Sequence, residues 1–161
     1  MPTNSITSAA TKKRASPLVF TLQVACSAAG IPPRRKLRAW AQAALKRPAQ
    51  VTVRIVGARE GRKLNRTFRH RDYATNVLTF TYQDRRPLAG DIVLCAPVVA
   101  REARDQAKAL DAHYAHLIVH GMLHMQGYDH IAQTDAAAME AREIAILARL
   151  GYDNPYHCVQ T

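Results

Sequence analysis

The sequence predicts one α+β domain, in which roughly four strands form a single mixed sheet flanked by about five helices. Three observations support this fold class. The 161 residues are enough to bury the core of one domain. Short segments with strand-like apolar patterns are interspersed with longer segments of helical periodicity. One of these helices, which carries several histidines, is apolar on nearly every side, as expected for a central buried helix.

The predicted domain spans residues 17–157. The segment before it, residues 1–16, is rich in Ser, Thr and Ala, contains the basic run Lys12-Lys13-Arg14, and has few apolar side chains to bury. A segment of this composition is expected to be a disordered basic extension. Residues 158–161 are expected to form a short tail.

The first half of the domain is predicted to contain two strands, each followed by a helix. Leu18 to Ala25 and Val51 to Val56 have the apolar patterns of strands. The first helix follows the pair Pro32-Pro33. Its apolar residues recur at helical spacing: Leu37, Trp40, Ala41, Ala44 and Leu45. Ala58 to Phe68 is predicted to be a short amphipathic helix.

Two more strands follow, joined by a turn. A polar loop, residues 70–75, precedes the predicted strand from Asn76 to Tyr82. The turn is expected around Arg85-Arg86-Pro87, because proline favours turns and cannot donate to a strand ladder. The strand from Asp91 to Cys95 then leads into the helical part of the chain.

Three helices complete the predicted domain. Pro97 is suited to the first turn of a helix that runs to about Lys108. Asp111 is the predicted N-cap of the histidine-bearing helix, which runs to Gln126. The last helix extends from about Asp135 to Leu150 and is followed by glycine.

Three histidines with a distinctive spacing mark the fourth helix and the turn after it. His120 and His124 are four residues apart, so their rings lie one above the other on one helix face. Gly127 is suited to end the helix, because glycine readily adopts the left-handed conformation found at many helix C-termini. The chain can then bring His130 back to the same ion. Three neutral imidazoles with an open fourth position are typical of a catalytic zinc site, so the sequence predicts one Zn²⁺ at the end of this helix.

The histidine spacing is that of the metzincin peptidases, H-E-x-x-H-x-x-G-x-x-H, with one difference. Gly121 stands where those enzymes carry the glutamate that takes the proton of the attacking water. The sequence therefore favours a metal site with a chemistry other than proteolysis. Two alternatives stay open. The zinc could serve only to hold the helix to its loop, and nickel or copper would also suit three imidazoles.

The net charge of +11 is concentrated at the start of the chain, where no acidic residue precedes Glu60. Arg34, Arg35 and Arg38 crowd the beginning of the first predicted helix. A cluster of this kind is often only a solvated helix face. Together with a hydrolytic metal site it favours a nucleic-acid partner, and we expect these three arginines to bind substrate.

Membrane and secreted classes are disfavoured by composition. No apolar run approaches the ~18 residues of a membrane span. Cys26, Cys95 and Cys158 are widely spaced and form neither a zinc pair nor a disulfide framework. This usage suits a reducing compartment, so a cytoplasmic protein is expected.

Three further segments accompany the histidine motif in a fixed order. Residues 64–69 read LNRTFR, residues 75–80 read TNVLTF, and residues 90–94 read GDIVL. With the run from His120 to His130, they resemble the YbeY family of bacterial metal-dependent endoribonucleases, also described as rRNA maturation factors. The resemblance extends from about Leu18 to Tyr156.

The resemblance implies specific roles for the site residues. It assigns the zinc ligands: His120, His124 and His130. It also makes Arg69 the functional arginine of the metal cleft. A guanidinium can bind two phosphate oxygens at once and stabilise the charge that develops during phosphodiester cleavage. The residues alone do not distinguish Arg69 from Arg66 or Arg71; the resemblance does.

The resemblance also implies a function. It is that of a single-strand-specific, zinc-dependent endoribonuclease in rRNA maturation, including 16S rRNA 3′-end processing, and in ribosome quality control. The implied partners are single-stranded RNA, rRNA, and the ribosomal subunit or ribosome-associated proteins, with no membrane. Two rival functions stay open: a non-catalytic ribosome assembly factor with a structural zinc, and a metal-dependent hydrolase of peptides or small molecules.

Three points of chemistry are left open by the sequence. The nucleophile could be a water or the RNA 2′-hydroxyl. His116 lies one turn before His120, where it could be a fourth ligand, although a supporting role behind the ligands is favoured. Asp129 could orient a ligand imidazole or bind the backbone of the turn.

Overall fold

The computed structural model describes residues 17–128 and 133–157. The predicted extension (1–16), the predicted tail (158–161), and the predicted site residues Asp129 and His130 lie outside the described residues. In the described part of the chain there are four strands and five helices, as the sequence predicts. In chain order they are β1 (Leu18–Ala25), α1 (Arg34–Ala43), β2 (Ala49–Val56), α2 (Ala58–Arg69), β3 (Val77–Tyr82), β4 (Leu88–Cys95), α3 (Ala96–Asp105), α4 (Leu110–Met125) and α5 (Gln133–Arg149).

The four strands form one mixed sheet in the order β1-β2-β4-β3. β1, β2 and β4 are parallel, whereas β3 lies antiparallel to β4 at the edge. Parallel neighbours need a crossover connection, which α1 supplies between β1 and β2. β4 begins at Leu88, three residues before the predicted start, because its whole length pairs in register with β2, from Ala49↔Leu88 to Val56↔Cys95.

Helix α4 is the central helix of the domain, as predicted. It packs against β3, β4 and three other helices, α1, α3 and α5. Ten of its sixteen residues are buried, including Tyr114, Ile118 and Leu123. Alternate residues of β4 point to opposite faces of the sheet. Accordingly, Ile92 packs in the large core with α4, while Val93 belongs to a smaller apolar cluster under α2.

Two predicted helix boundaries are wrong, for identifiable reasons. Asp111 is not the N-cap of α4, which begins at Leu110 after Ala109 and has no side-chain cap. Asp111 lies in the first turn instead, where its carboxylate pairs with Lys36 of α1 at 2.6 Å. Helix α3 ends at Asp105 because Ala107 adopts a left-handed conformation, with φ of 52°. The backbone N–H of Lys108 then donates back to the carbonyl of Ala103.

None of the helices in the described part of the chain combines the length and the apolar character that crossing a bilayer requires.

Candidate metal centre on the histidine helix

His120 and His124 lie together on a partly exposed face of α4. Their ring centroids are 6.5 Å apart and the ring planes differ by 8°, so the two imidazoles stack one turn above the other. Both side chains are partly exposed, whereas the residues between them, from Gly121 to Leu123, are buried in the core. The same periodicity that buries one face of α4 therefore presents the histidine pair on the other.

Both imidazoles hydrogen-bond through the same ring nitrogen. His120 Nδ1 donates to Glu143 Oε1 at 2.5 Å, and His124 Nδ1 donates to the backbone carbonyl of Tyr128 at 3.3 Å. A neutral imidazole carries one proton, so an acceptor at Nδ1 leaves the lone pair on Nε2. This is the arrangement that metal-binding histidines use, in which the partner of one nitrogen orients the other toward the ion.

The carboxylate beside His120 belongs to Glu143 of α5, which is completely buried. Its Oε2 accepts from His116 Nε2 at 3.0 Å and from the hydroxyl of Tyr156. Burial by itself raises the pKa of Glu143, but the hydrogen bonds from these groups and from His120 outweigh it and lower the pKa to about 2. Glu143 is therefore an anion at neutral pH, and burial together with the bond to this anion raises the pKa of Tyr156.

His116 directs its Nε2 at Glu143. Its ring centroid lies 6.4 Å from that of His120, and its Nδ1 is buried without a hydrogen-bond partner among the described residues. One turn earlier, His113 forms a second histidine–carboxylate pair. Its Nε2 lies 3.1 Å from Glu102, which also accepts from Asn76. Burial lowers the pKa of His113 more strongly than Glu102 raises it.

Within the part of the chain that the structure describes, no three His, Cys, Asp or Glu side chains gather into a metal-binding group. Two of the predicted ligands, His120 and His124, are brought together, and the third, His130, lies outside that part. Two neighbouring imidazoles, each with an oriented Nδ1–H, fit a metal site that takes at least one further ligand.

Arg69 is the last residue of α2, and its contacts are with β3. Nη2 donates to the carbonyl of Thr79 at 3.1 Å, and the guanidinium carbon lies 5.8 Å from the ring centroid of Phe80. The side chain is exposed. β3 also packs on α4, so Arg69 contacts a strand that in turn contacts the histidine helix.

The arginines of α1 lie at the other end of α4. Lys36 pairs with Asp111 near the start of α4, while Gln126, just after α4, donates to the carbonyl of Ala44 just after α1. The two helices therefore run side by side in the same direction. Since a helix rises about 1.5 Å per residue, the start of α4 is about 20 Å from His124.

Each α1 arginine has its own surroundings. Arg34 donates to the carbonyl of Phe20 at 3.0 Å and lies over its ring, Arg35 is exposed, and Arg38 is half-buried.

A basic cavity of about 1060 Å³ opens at the histidine end of α4. Among the residues that line it are Arg47, Tyr82, Arg85, Arg86, Met125 and Gly127. The guanidinium carbon of Arg85 lies 5.6 Å from the ring centroid of Tyr82. Asp84 is the acidic residue of the lining. Gly127 comes three residues after His124, so one wall of this basic cavity is continuous with the histidine helix.

Glu143 was missed by the sequence reasoning, although a signal was present. The apolar face of α5 is marked by Met139, Ile146 and Leu147, all buried. Glu143 falls on the same face, four residues after Met139 and three before Ile146. A carboxylate in a buried stripe needs a buried partner, because an unpaired charge there is very costly. Tyr156 and the arginines of the basic cavity offered no comparable pattern.

The comparisons with known proteins agree with one another. A family model described as Endoribonuclease YbeY matches residues 33–151. Two relatives that carry the same name come from Nitrosomonas eutropha and Aromatoleum aromaticum. The first is 59% identical over 137 residues, 85% of this chain and 97% of the relative. The second is 57% identical over 152 residues, 92% of this chain and 99% of the relative. The solution structure of TM1509 from Thermotoga maritima covers 86% of this chain and 99% of its own, with a TM-score of 0.52 at 20% identity, and supports the fold.

Proposed function

This chain belongs to the YbeY family of endoribonucleases, and from that membership we propose that it cleaves RNA internally with the help of a metal ion on α4. The observation that carries the proposal is the stacked pair His120 and His124, each with Nδ1 bonded to an acceptor. This arrangement supports a coordinating role, because metal-binding histidines usually bond an acceptor through the ring nitrogen that does not face the ion.

We propose that the ion is zinc and that His130 is its third protein ligand. Three imidazoles leave a fourth position open, which distinguishes a catalytic from a structural zinc site. When bound, zinc supplies Lewis-acid polarisation and water activated near neutral pH. The chain's own part is to orient the ligand rings, through Glu143 for His120 and through the Tyr128 carbonyl for His124.

Arg69 is the proposed catalytic residue for the phosphate. Its guanidinium is exposed at the end of α2 and held against β3 by the Thr79 carbonyl and the Phe80 ring. A planar, permanently charged group held on a strand costs little reorganisation when negative charge develops on the phosphate oxygens. No carboxylate base at position 121 is required for this chemistry, in contrast to a peptidase.

RNA is proposed to reach the site through the basic cavity. Its three arginines offer phosphate contacts close to His124, and Tyr82 beneath Arg85 offers an aromatic face to a base. At about 1060 Å³ the cavity is slightly larger than typical small-ligand sites, which span roughly 300–1,000 Å³. Arg34, Arg35 and Arg38, on the part of α1 that lies toward the start of α4, are proposed as contacts to a more distant part of a long RNA.

The proposed substrate is single-stranded rRNA, the proposed setting is rRNA maturation and ribosome quality control, and the proposed compartment is the cytoplasm. The family membership and the basic surface support an RNA substrate. A ribosomal subunit is then the proposed assembly on which the enzyme acts.

The decisive experiment compares zinc-loaded protein with a His124→Ala variant on a single-stranded RNA oligonucleotide. We expect internal cleavage by the first and none by the second. Binding without cleavage by the zinc-loaded protein would favour a non-catalytic assembly factor, and cleavage of a peptide library would favour a hydrolase of another substrate. An oligonucleotide with one 2′-deoxy sugar at the cut site distinguishes a 2′-hydroxyl nucleophile from water.

Two matched triple variants test the RNA surface. One replaces Arg47, Arg85 and Arg86 by Gln; the other replaces Arg34, Arg35 and Arg38 by Gln. Both remove three charges. RNA affinity should fall with salt at a log–log slope of about −0.7 per contacted phosphate, so either variant should flatten the slope. Only the first should also impair cleavage of a short oligonucleotide. Equal cleavage by both variants would remove the basic cavity from the substrate path.

A further inference from the structure

We infer that Glu143 is a positioning residue of the metal centre: its buried carboxylate fixes the ring orientation and the tautomer of His120, and His116 and Tyr156 in turn fix the carboxylate. This inference rests on the proposed function, because it assigns His120 to the metal. It goes further by giving a role to three side chains on three parts of the chain, α4, α5 and the segment after α5.

The first argument is the completeness of the hydrogen bonding around Glu143. The side chain is 0% exposed, and a buried carboxylate is tolerated only when its oxygens are paired. Oε1 accepts from His120 Nδ1 at 2.5 Å. Oε2 accepts from His116 Nε2 at 3.0 Å and from the hydroxyl of Tyr156. Among the described residues, each hydrogen-bond partner of the carboxylate is therefore a donor, and an amide NH₂ in its place would face donors.

The second argument is that the two carboxylate oxygens of Glu143 have different roles. The partners of Oε2 come from the preceding turn of α4 and from the segment after α5, so they hold the carboxylate from two directions. Oε1 is directed at the proposed ligand His120. A carboxylate whose rotation is fixed at one oxygen imposes a direction on the hydrogen bond at the other. It also increases the basicity of the distant ring nitrogen, which strengthens metal binding.

The third argument is a contrast within the same helix. His113 and Glu102 form a similar histidine–carboxylate pair at 3.1 Å, also partly or fully buried. Glu102, on α3, has Asn76 as its other partner, and its histidine, His113, lies two turns of α4 before His120. Glu102 therefore provides a matched control, because Glu102→Gln makes the same chemical change without touching the proposed ligand.

The experiment compares wild type, Glu143→Gln and Glu102→Gln in two measurements. The first is zinc affinity, measured by competition with a chromophoric chelator and zinc alone. We expect Glu143→Gln to weaken binding by roughly 10- to 100-fold, the scale for losing a partner behind a metal ligand, and Glu102→Gln to leave it unchanged. The second is the tautomer of His120 in the metal-free protein, read from ¹⁵N chemical shifts of the ring. We expect Nδ1–H in wild type and Glu102→Gln, and loss of that preference in Glu143→Gln.

The two measurements separate this inference from the proposed function. If wild type binds no zinc, the proposed metal chemistry fails, and with it the role of Glu143 at a metal centre. If wild type binds zinc and Glu143→Gln binds it equally well with an unchanged tautomer, the inference alone is overturned. Where Glu143→Gln does not fold, Tyr156→Phe removes a single donor to Oε2, and its expected result is a several-fold weaker zinc affinity. Unchanged affinity in a folded Tyr156→Phe protein would contradict the anchoring of the carboxylate.

Discussion

Gly121 lies where α4 crosses the sheet, and adding a single methyl group there tests how the histidine helix is held. A Cβ at this position would lie 3.1, 3.2 and 3.3 Å from Cδ1, Cγ2 and Cγ1 of Ile92. Ile92 is fully buried on β4, and its β-branched side chain is stiff, so it cannot turn away easily. Overpacking of this kind costs about 1–3 kcal/mol. The higher helix propensity of alanine offsets about 1 kcal/mol of this cost. We therefore expect Gly121→Ala to lower the free energy of unfolding by about 1 kcal/mol.

The assay is urea unfolding of Gly121→Ala, Ile92→Val and the double variant. Ile92→Val alone should cost about 0.5–1.5 kcal/mol, since it removes a buried methyl group. It also removes the atom nearest to the new Cβ, so the double variant should cost less than the two single changes together, by at least about 0.5 kcal/mol. Gly127→Ala is the control. Gly127 has φ of 100°, and a Cβ there would meet no atom of the described residues within 4 Å. The cost of Gly127→Ala is therefore backbone strain, which should add to the cost of Ile92→Val. A stabilised Gly121→Ala protein, with strictly additive costs, would refute the reasoning.

The same position bears on the peptidase alternative. Glutamate at 121 would begin against Ile92 in the core instead of beside the histidine rings. We expect Gly121→Glu to destabilise the fold by several kcal/mol, the cost of burying an unpaired charge. It should gain no peptide cleavage in a zinc-supplemented assay. A folded variant with peptidase activity would show that the position faces the metal.

Three further predictions address the site and the core. His124→Ala should lose stoichiometric zinc, because two imidazoles do not complete the site, and metal analysis of the purified variant checks this. Arg69→Ala should lower RNA turnover by roughly 10²- to 10³-fold with zinc content and thermal stability unchanged, whereas Arg69→Lys should recover only part of the rate; full activity of the alanine variant would exclude Arg69. Burial raises the pKa of Tyr114 to about 12, so the unfolded chain releases this proton at lower pH than the folded one. The contribution of Tyr114 to the free energy of unfolding should be fully present below pH about 10 and lost toward pH 12. In urea unfolding, the free energy of unfolding of Tyr114→Phe should fall less between pH 8 and pH 11 than that of wild type.

Local sequence patterns were sufficient to predict much of the fold. The apolar periodicity of α4 gave its central position, since a helix without a polar face has no stable place at the surface. β1 was predicted at its observed bounds, Leu18–Ala25. The strand order was not predictable, because a parallel pair such as β2 and β4 is separated by a helix and another strand and leaves no local signal. Asp111 shows why helix ends are hard to predict: it is a residue type that favours the N-cap, but its side chain forms an ion pair with Lys36 of another helix instead.

The candidate site also has one part that the sequence predicted and another that depends on tertiary packing. The spacing of His120 and His124 is a property of one helix, so sequence was sufficient to bring the two rings together. Glu143 approaches them from another helix, and only the packing of α5 on α4 decides which carboxylate faces which imidazole. The α1 arginines were predicted from charge density alone, which carries no information about their distance from His124.

The most buried helix of the domain is also the helix that carries the histidines, and this couples the site to the core. His120 and His124 belong to a helix that packs against the sheet, so the geometry offered to an ion is preorganised by packing. Linkage works in both directions: an ion that binds only the folded chain stabilises the whole domain. Zinc affinity should therefore change with substitutions that do not contact a ligand, such as those at Ile92. Residues on the sheet side of α4 must then keep their packing if the histidine face of the same helix is to keep its chemistry.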